Sequence, residues 1–232
     1  MKGCTLHCPW CSNPENIEYK KEKYYRDGVE GFYGRYYTSE ELVCELLKDK
    51  AYWNNGGGVT FSGGEALSHI EYLEPVFGLL KNNGVNIAIE TALFVSEKAI
   101  QIAPPYIDYF IIDIKILDQD QCKVVLGGDT ELYFSNLDYI CSRIKHDNIV
   151  FRIPCSQEYT LTQNNVDRIL KVISRYKDVK IELFTLHKLG QSKYDSLGKE
   201  YDFLIDESEE QRMQEFYYIL RNKGLNVTIN QI

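Results

Sequence analysis

Short apolar segments alternate with amphipathic segments along most of this chain. Apolar runs of strand length are predicted at residues 59–61, 85–89, 109–114, 149–153, 180–184 and 225–229. Apolar positions three or four residues apart predict helices at residues 66–83, 132–144, 162–176 and 208–223. The run 109–114 is almost wholly apolar, as a strand covered on both faces should be. This alternation of strand and helix predicts a parallel sheet covered by helices.

An open sheet and a partial barrel both produce this alternation, so the polar residues at the strand ends decide between them. Glu65, Glu90, Asp113 and Lys115 lie at or just past the ends of predicted strands. In a β/α barrel these ends face one mouth, where active sites are built. We therefore expect one α/β domain, an incomplete parallel β/α barrel of the TIM type that is open on one side.

Residues 16–37 depart from this pattern. Residues 16–35 are charged and aromatic and show little periodicity; the aromatic side chains are Tyr19, Tyr24, Tyr25, Phe32 and Tyr33. We predict an irregular surface loop, long enough to be functional, and hypothesise that it faces a partner protein. In this scheme residues 1–15 form a cysteine-bearing loop and residues 38–232 form the β/α repeats.

The composition is that of an ordinary globular protein, with 44% hydrophobic and 26% charged residues. The 26 Lys and Arg against 34 Asp and Glu give a net charge of −8, so a basic nucleic-acid footprint is absent. No apolar run approaches the roughly 20 residues of a membrane span, and the first residues contain no apolar stretch of signal-peptide length. We expect a cytoplasmic protein that binds neither nucleic acid nor membranes.

Three of the seven cysteines fall within eight residues, as Cys4, Cys8 and Cys11 in a C-x3-C-x2-C spacing. Three thiolates this close can hold one metal centre, and iron–sulfur clusters are held by cysteine thiolates, typically four. Three ligands on a four-iron cluster leave one iron open to bind a substrate. A zinc site completed by His7 or a distant ligand is the alternative. We expect the scattered cysteines to be core residues: Cys44, Cys122, Cys141 and Cys155.

Two motifs at strand ends supply further candidate ligands. Gly63 and Gly64 permit close backbone approach to a ligand, and Glu65 can hold an ammonium group, although the same three residues also suit a simple turn. Asp113 and Lys115 point to the same side of their strand. They form either a structural ion pair or a site for a hydroxyl and a carboxylate of one ligand.

Three isolated residues add to the same predicted mouth. Glu90 contributes a second negative group, one strand before Asp113. Arg152 is a cation within an apolar strand and needs a partner there. His187 follows the penultimate strand, where a surface or structural role is at least as good an interpretation as a ligand role.

Taken in order, these motifs resemble the radical SAM superfamily. The resemblance rests on the cysteine loop, the segment GGGVTFSGGE at 56–65 and the Asp-x-Lys motif at 113–115. More narrowly, CSNPE at 11–15 and HKLG at 187–190 resemble the activating enzymes of glycyl radical enzymes, such as pyruvate formate-lyase activating enzyme. The similarity runs from Lys2 to near the end of the chain.

The resemblance implies an enzyme that reductively cleaves S-adenosylmethionine (SAM) at a [4Fe-4S] cluster. The resulting 5'-deoxyadenosyl radical would remove a hydrogen from a glycine of a partner enzyme, such as a pyruvate formate-lyase-like protein. Cys4, Cys8 and Cys11 would ligate the cluster, with no catalytic residue beyond the cluster and SAM. A flavodoxin or ferredoxin would donate the electron, and we expect a monomer.

The resemblance also implies how SAM is held. Gly63, Gly64 and Glu65 would fix its amino group, and Lys115 would neutralise its carboxylate. Asp113 would face the ribose or, with Glu90 and Thr91, a monovalent cation. Three other residues would line the same mouth: Trp10 along the adenine, Arg152 and His187.

The chain departs from this family in four places. It starts one barrel strand later than the family usually does, and residues 16–55 lack the cysteine-rich ferredoxin-like insert of many activases. The family's DTNG reads ETAL at 90–93, and SQEY at 156–159 replaces a Pro-Gly turn. Two alternatives follow: another radical SAM enzyme acting on a peptide or small molecule, and a truncated, inactive remnant that binds a partner or holds zinc.

Overall fold

A computed structural model describes residues 1–53, 56–201, 203 and 208–230 of the chain. Its strands are β1 Glu22–Arg26, β2 Val29–Tyr33, β3 Gly58–Phe61, β4 Asn86–Thr91, β5 Tyr109–Asp113, β6 Ile149–Cys155, β7 Lys180–Thr185 and β8 Val227–Asn230. Strands β3 to β8 form one sheet in chain order, and every neighbouring pair is parallel. In the described residues β3 and β8 have one strand neighbour each, so the sheet does not close on itself.

The first helix precedes this sheet, and the other helices connect its strands. The helices are α1 Ser39–Leu47, α2 Ile70–Asn82, α3 Glu97–Ile102, α4 Gln119–Gln121, α5 Thr130–Cys141, α6 Gln163–Ile173, α7 Gln191–Leu197 and α8 Ser208–Asn222. A π-helical turn, Cys122–Leu126, continues α4. The predicted fold class, an incomplete parallel β/α barrel, is confirmed.

Local sequence explains where several helices begin. Thr38 and Glu41 form a capping box at α1, where Glu41 N donates to Thr38 Oγ1 at 3.2 Å and Thr38 N donates to Glu41 Oε2 at 2.9 Å. Asp129 accepts from Glu131 N at 2.9 Å at the start of α5. Each cap satisfies an amide that has no partner within its helix.

The core lies between the sheet and the helices. In β5, Phe110 and Ile112 are fully buried on the side that the helices cover. Asp113, on the opposite side of this strand, is half-buried at its carboxyl end. This alternation follows from the two-residue period of a strand, and it delivers charged side chains to the inner face at the strand ends.

The prediction of an irregular loop over residues 16–37 was wrong for β1 and β2, which form an antiparallel hairpin. Asp27 and Gly28 form its turn with positive φ angles of 52° and 80°. An Asp-Gly pair is a strong hairpin signal, because both central residues of such a turn adopt φ above zero. The alternation of half-buried and exposed residues along the strands is that of a sheet with one covered face.

The scattered cysteines divide between core and surface. Cys122, Cys141 and Cys155 are buried, as predicted. Cys44 is exposed, so its assignment to the core was wrong. Leu42, Val43 and the other apolar residues of α1 cover the core on the opposite side of that helix.

No helix in the described ranges has both the length and the apolar character needed to cross a bilayer.

Candidate functional site

The carboxyl ends of β3 to β7 surround a cavity of about 250 Å³. Eleven of the twelve predicted site residues line it: Cys4, Cys8, Trp10, Cys11, Gly63, Gly64, Glu90, Asp113, Lys115, Arg152 and His187. The twelfth, Glu65, does not. Because parallel strands end at one edge of the sheet, residues far apart in sequence meet here.

All three cysteines of the N-terminal loop line this cavity. Leu6 N donates to Cys4 Sγ at 3.5 Å and Asn13 N donates to Cys11 Sγ at 3.4 Å. Burial raises the pKa of all three thiols, to about 12 for Cys8. A metal that displaces these protons would remove the unfavourable burial of a bare thiolate.

The glycine pair after β3 holds the N-terminal loop against the sheet. Gly64 N donates to Met1 O at 2.9 Å, and Glu65 N donates to Gly3 O at 2.8 Å. A Cβ on Gly64 would lie 2.1 Å from Gly3 O, so no larger side chain fits between the two segments. These glycines therefore permit a close backbone contact that places the thiols, in addition to lining the cavity.

Glu65 is buried beneath the contact between the N-terminal loop and the loop after β3. Its side chain is 1% exposed, with Oε1 accepting from Leu67 N at 3.1 Å and Oε2 accepting from Ala92 N at 2.8 Å. Burial raises its pKa to about 7 despite these hydrogen bonds. Glu65 therefore connects the β3 loop to the segment after β4.

Two ion pairs line the cavity at the strand ends. Arg152 Nη1 lies 2.7 Å from Glu90 Oε1, and Ser62 Oγ donates to the other oxygen of Glu90. Lys115 Nζ lies 2.7 Å from Asp113 Oδ2. Burial opposes the charge of Lys115, but the adjacent Asp113 carboxylate outweighs it and raises the pKa of Lys115. Lys115 is thus a buried, charged ammonium beside the thiols.

Aromatic and imidazole groups complete the rim. Trp10 is buried, and its ring centroid lies 5.1 Å from that of Tyr159. The guanidinium of Arg152 lies 4.9 Å from the ring centroid of Phe184. His187 Nδ1 accepts from Leu189 N at 3.3 Å, so its ring also holds the turn after β7.

Helix α7 supplies residues that sequence reasoning missed. Lys193 Nζ donates to Asn13 Oδ1 at 2.7 Å and to Glu15 Oε1 at 2.8 Å. Tyr194 OH donates to Cys11 O at 3.0 Å. Their hydrogen-bond partners are about 180 residues away along the sequence, and no local motif predicts these contacts. Ser62, in contrast, sits inside the SGGE motif and could have been singled out.

The radical SAM superfamily model matches residues 1–161, which is more than half of the chain. The chain belongs to the radical SAM superfamily. It is 28% identical to the 4-hydroxyphenylacetate decarboxylase activating enzyme of Clostridioides difficile (strain 630), over 94% of this chain and 86% of that protein. It is 27% identical to the choline trimethylamine-lyase activating enzyme of Oleidesulfovibrio alaskensis, over 87% of this chain and 81% of that one.

A solved domain of pyruvate-formate lyase-activating enzyme from Bacteroides vulgatus has the same fold. Its TM-score with this chain is 0.55 at 23% identity, over 75% of this chain and 99% of that domain. The alignment to the Clostridioides difficile protein spans 273 positions, so that relative has segments without a counterpart among these 232 residues.

Members of this superfamily use a [4Fe-4S] cluster and SAM, and the residues of the cavity fit both. Three thiols with two amide donors form a cluster-type ligand set. The described residues contain no group of three His, Cys, Asp or Glu side chains arranged to hold a single metal ion. A four-iron cluster does not require such convergence, because each cysteine binds its own iron. Lys115 is a cation on the wall of the same cavity, where a carboxylate of SAM would find a charge partner.

Proposed function

We propose that this protein is a glycyl-radical-enzyme activating enzyme. In this role it cleaves SAM reductively and installs a glycyl radical on a partner enzyme. The observation that carries the proposal is one cavity that unites three cluster-type thiols with Lys115 and the glycine pair, in a chain similar to named activating enzymes over most of its length.

Different residues of the cavity bind the cluster and SAM. Cys4, Cys8 and Cys11 hold the cluster, and bound SAM supplies a 5'-deoxyadenosyl radical there. Lys115 neutralises the SAM carboxylate, and Asp113 keeps the lysine charged and oriented at 2.7 Å.

Other cavity residues orient SAM. Backbone atoms of Gly63 and Gly64 fix the amino group, and Trp10 lies along the adenine. Glu90 and Arg152 shape the side of the mouth opposite the thiols. Both carboxylate oxygens of Glu90 accept hydrogen bonds from protein donors, which compete with a monovalent cation for this residue. Glu65 acts as a positioning residue, since its carboxylate binds backbone amides.

The similar proteins indicate the class of the partner enzyme but not which enzyme it is. Those relatives are named activators of different decarboxylases and lyases, so the individual target is open among such enzymes. We propose a glycyl radical enzyme, with a pyruvate formate-lyase-like protein as the first to test. A flavodoxin or ferredoxin would supply the electron to a monomeric, cytoplasmic protein.

The first test is anaerobic reconstitution with iron and sulfide, followed by reduction and addition of SAM. We expect a cluster EPR signal that SAM perturbs, and release of 5'-deoxyadenosine. Cys4→Ala, Cys8→Ala and Cys11→Ala should each lose the intact cluster. Cys44→Ala, at an exposed site on α1, is the matched control and should retain it. Equal iron in all four variants, or stoichiometric zinc in the wild type, would refute the cluster assignment.

The second test addresses the partner. Incubation of the reduced enzyme and SAM with candidate glycyl radical enzymes should produce a glycyl radical EPR signal on one of them. SAM cleavage that proceeds while every candidate stays radical-free, and that instead consumes a peptide or small molecule, would favour the other radical SAM activity.

A further inference from the structure

A buried asparagine binds the backbone of the residue that carries the cavity's lysine. Asn165 lies in the first turn of α6 and is 0% exposed. Its Nδ2 donates to Lys115 O and to Thr160 O at 2.8 Å each, and its Oδ1 accepts from Leu117 N at 2.8 Å. Asparagine is a poor helix former, and a fully buried amide without partners would be costly. These three hydrogen bonds therefore explain why the amide is tolerated at a buried helical position.

The sheet itself cannot hold this part of the chain. Strand β5 remains bonded to β6 as far as Ile114 N, which donates to Arg152 O at 2.8 Å. The next residue of β6 that faces β5 is Pro154, which has no amide hydrogen to donate. In the described part of the chain, the backbone of residues 115–117 makes its hydrogen bonds to Asn165 instead. One side chain thus continues the hydrogen bonding where the ladder stops.

The alternation of side chains along this segment directs Lys115 into the cavity. Ile114 and Ile116 are buried in the core, so the side chain between them points to the opposite face. There Lys115 Nζ lies 2.7 Å from Asp113 Oδ2, on the wall that the three cysteines share. A shift of the Lys115 backbone would therefore move the ammonium relative to that wall.

A second buried asparagine makes similar bonds at a different loop. Asn136 on α5 is 1% exposed, and its Nδ2 donates to Leu93 O and Val95 O at 2.8 Å each. Both carbonyls belong to the segment after β4, where Leu93 has a φ angle of 60°. The amide helps to hold this strained backbone in place. Asn136 is thus a natural comparison for Asn165, since it is a buried amide with two carbonyl partners and no bond to Lys115.

We propose that Asn165 is a positioning residue for the SAM carboxylate and acts through the backbone of Lys115. This inference rests on the proposed function, in which Lys115 neutralises that carboxylate. Asn165 is not among the described residues that line the cavity, so it acts on SAM only through the lysine. Loss of the Nδ2 donor should therefore weaken recognition of the carboxylate and spare recognition of the rest of SAM.

The test compares the binding of SAM and of decarboxylated SAM to the reconstituted protein. Asn165→Asp replaces the donating Nδ2 with an acceptor at nearly constant size. We expect it to weaken the binding of SAM by about fivefold or more, and that of decarboxylated SAM by less than about twofold, because only SAM has the charge that Lys115 contacts. The preference of the protein for SAM over the decarboxylated form should shrink by the ratio of these two changes.

The matched control is Asn136→Asp, which removes the same donor from another buried helical amide. Its effect on the unfolding midpoint in urea should resemble that of Asn165→Asp, because each variant leaves two carbonyls without their donor. We expect it to change the binding of both ligands by the same factor. Asn165→Ala and Asn136→Ala repeat the comparison with a smaller side chain, and they decide the matter if an Asp variant does not fold.

A second measurement requires neither the cluster nor SAM. Brief treatment with acetic anhydride, followed by peptide mass spectrometry, reports how accessible each lysine amine is. The Lys115 side chain is 12% exposed, whereas that of Lys81, paired with Asp108, is 32% exposed. We expect acetylation of Lys115 to be about threefold or more faster in Asn165→Asp than in the wild type, because the segment that carries it opens more readily. Lys81 should react at the wild-type rate in every variant.

These readouts separate the inference from the proposed function. Absence of SAM binding in the wild type would contradict the proposed function, and the acetylation rate of Lys115 would still decide whether Asn165 positions it. The positioning inference is overturned if Asn165→Asp keeps the wild-type preference for SAM, or if Asn136→Asp reduces that preference as much. It is also overturned if Lys115 in Asn165→Asp is acetylated at the wild-type rate.

Discussion

Single residues at the mouth combine structural and chemical tasks. Glu65 illustrates this, because it sits in the motif next to the cavity while its buried carboxylate accepts from two backbone amides. Two backbone amides stabilise its charge, yet burial dominates and raises its pKa to about 7. The folded protein therefore binds a proton at Glu65 over a pH range where the unfolded chain has released it.

This makes the contribution of Glu65 to stability pH-dependent. A raised folded-state pKa gives stability that is complete below about pH 4.5 and is lost as the pH rises through about 7. Glu65→Gln removes this titration. We expect the unfolding free energy of the wild type, relative to Glu65→Gln, to fall by about 2–3 kcal/mol between pH 5 and 8. Urea unfolding at several pH values measures it; a constant difference or an increase would show that Glu65 is ionised throughout.

At the scale of elements, α7 braces the cysteine loop from the far end of the chain. Tyr194 and Lys193 bind Cys11 O and the side chains of Asn13 and Glu15. The same helix supports the hairpin, since Ser196 Oγ lies 3.0 Å from Tyr33 OH. One short helix thus sets the position of the third thiol and of the β1–β2 hairpin.

Removal of one hydroxyl tests this brace. Tyr194→Phe keeps the ring contact with Tyr201 and loses the hydrogen bond to Cys11 O. We expect a loss of about 1 kcal/mol in unfolding free energy and faster release of iron. The control is Tyr218→Phe, on an exposed ring of α8, which should change stability by less than about 0.5 kcal/mol. Equal changes in unfolding free energy and in iron release for the two variants would contradict a bracing role.

At the scale of the whole molecule, the N-terminal loop joins the first and last parts of the sheet. Met1 and Gly3 bind the loop after β3, while Cys11 and Glu15 bind α7 after β7. A group held by Cys4, Cys8 and Cys11 would therefore connect the segment that follows β3 with the one that follows β7. Any group that binds only the folded state adds its binding free energy to stability.

Cluster assembly should thus raise the melting temperature. We expect the reconstituted protein to melt more than about 5 °C above the iron-free form. Calorimetry under anaerobic conditions measures the difference. A Cys4→Ala/Cys8→Ala/Cys11→Ala variant treated in the same way should show no rise, and a similar rise in that variant would place the iron elsewhere.

The sequence alone determined the fold class and predicted most of the residues that line the cavity at the strand ends. Strand and helix periodicities are local, and so are the spacing of Cys4, Cys8 and Cys11 and the positions of Asp113 and Lys115 at a strand end. Parallel strands gather their carboxyl ends at one edge, so local motifs sufficed to predict one mouth. The Asp27–Gly28 turn was also local, but the dense tyrosines around it masked the alternation of the hairpin strands.

Only the tertiary structure decided how these residues are paired and which cavities they line. Glu90 and Arg152 are 62 residues apart, and Tyr194 and Cys11 are 183 apart. The burial of the Glu65 carboxylate depends in the same way on which segments the folded chain places together. Such contacts are set by the order of strands in the sheet and the packing of loops on it. No local pattern of side chains encodes them.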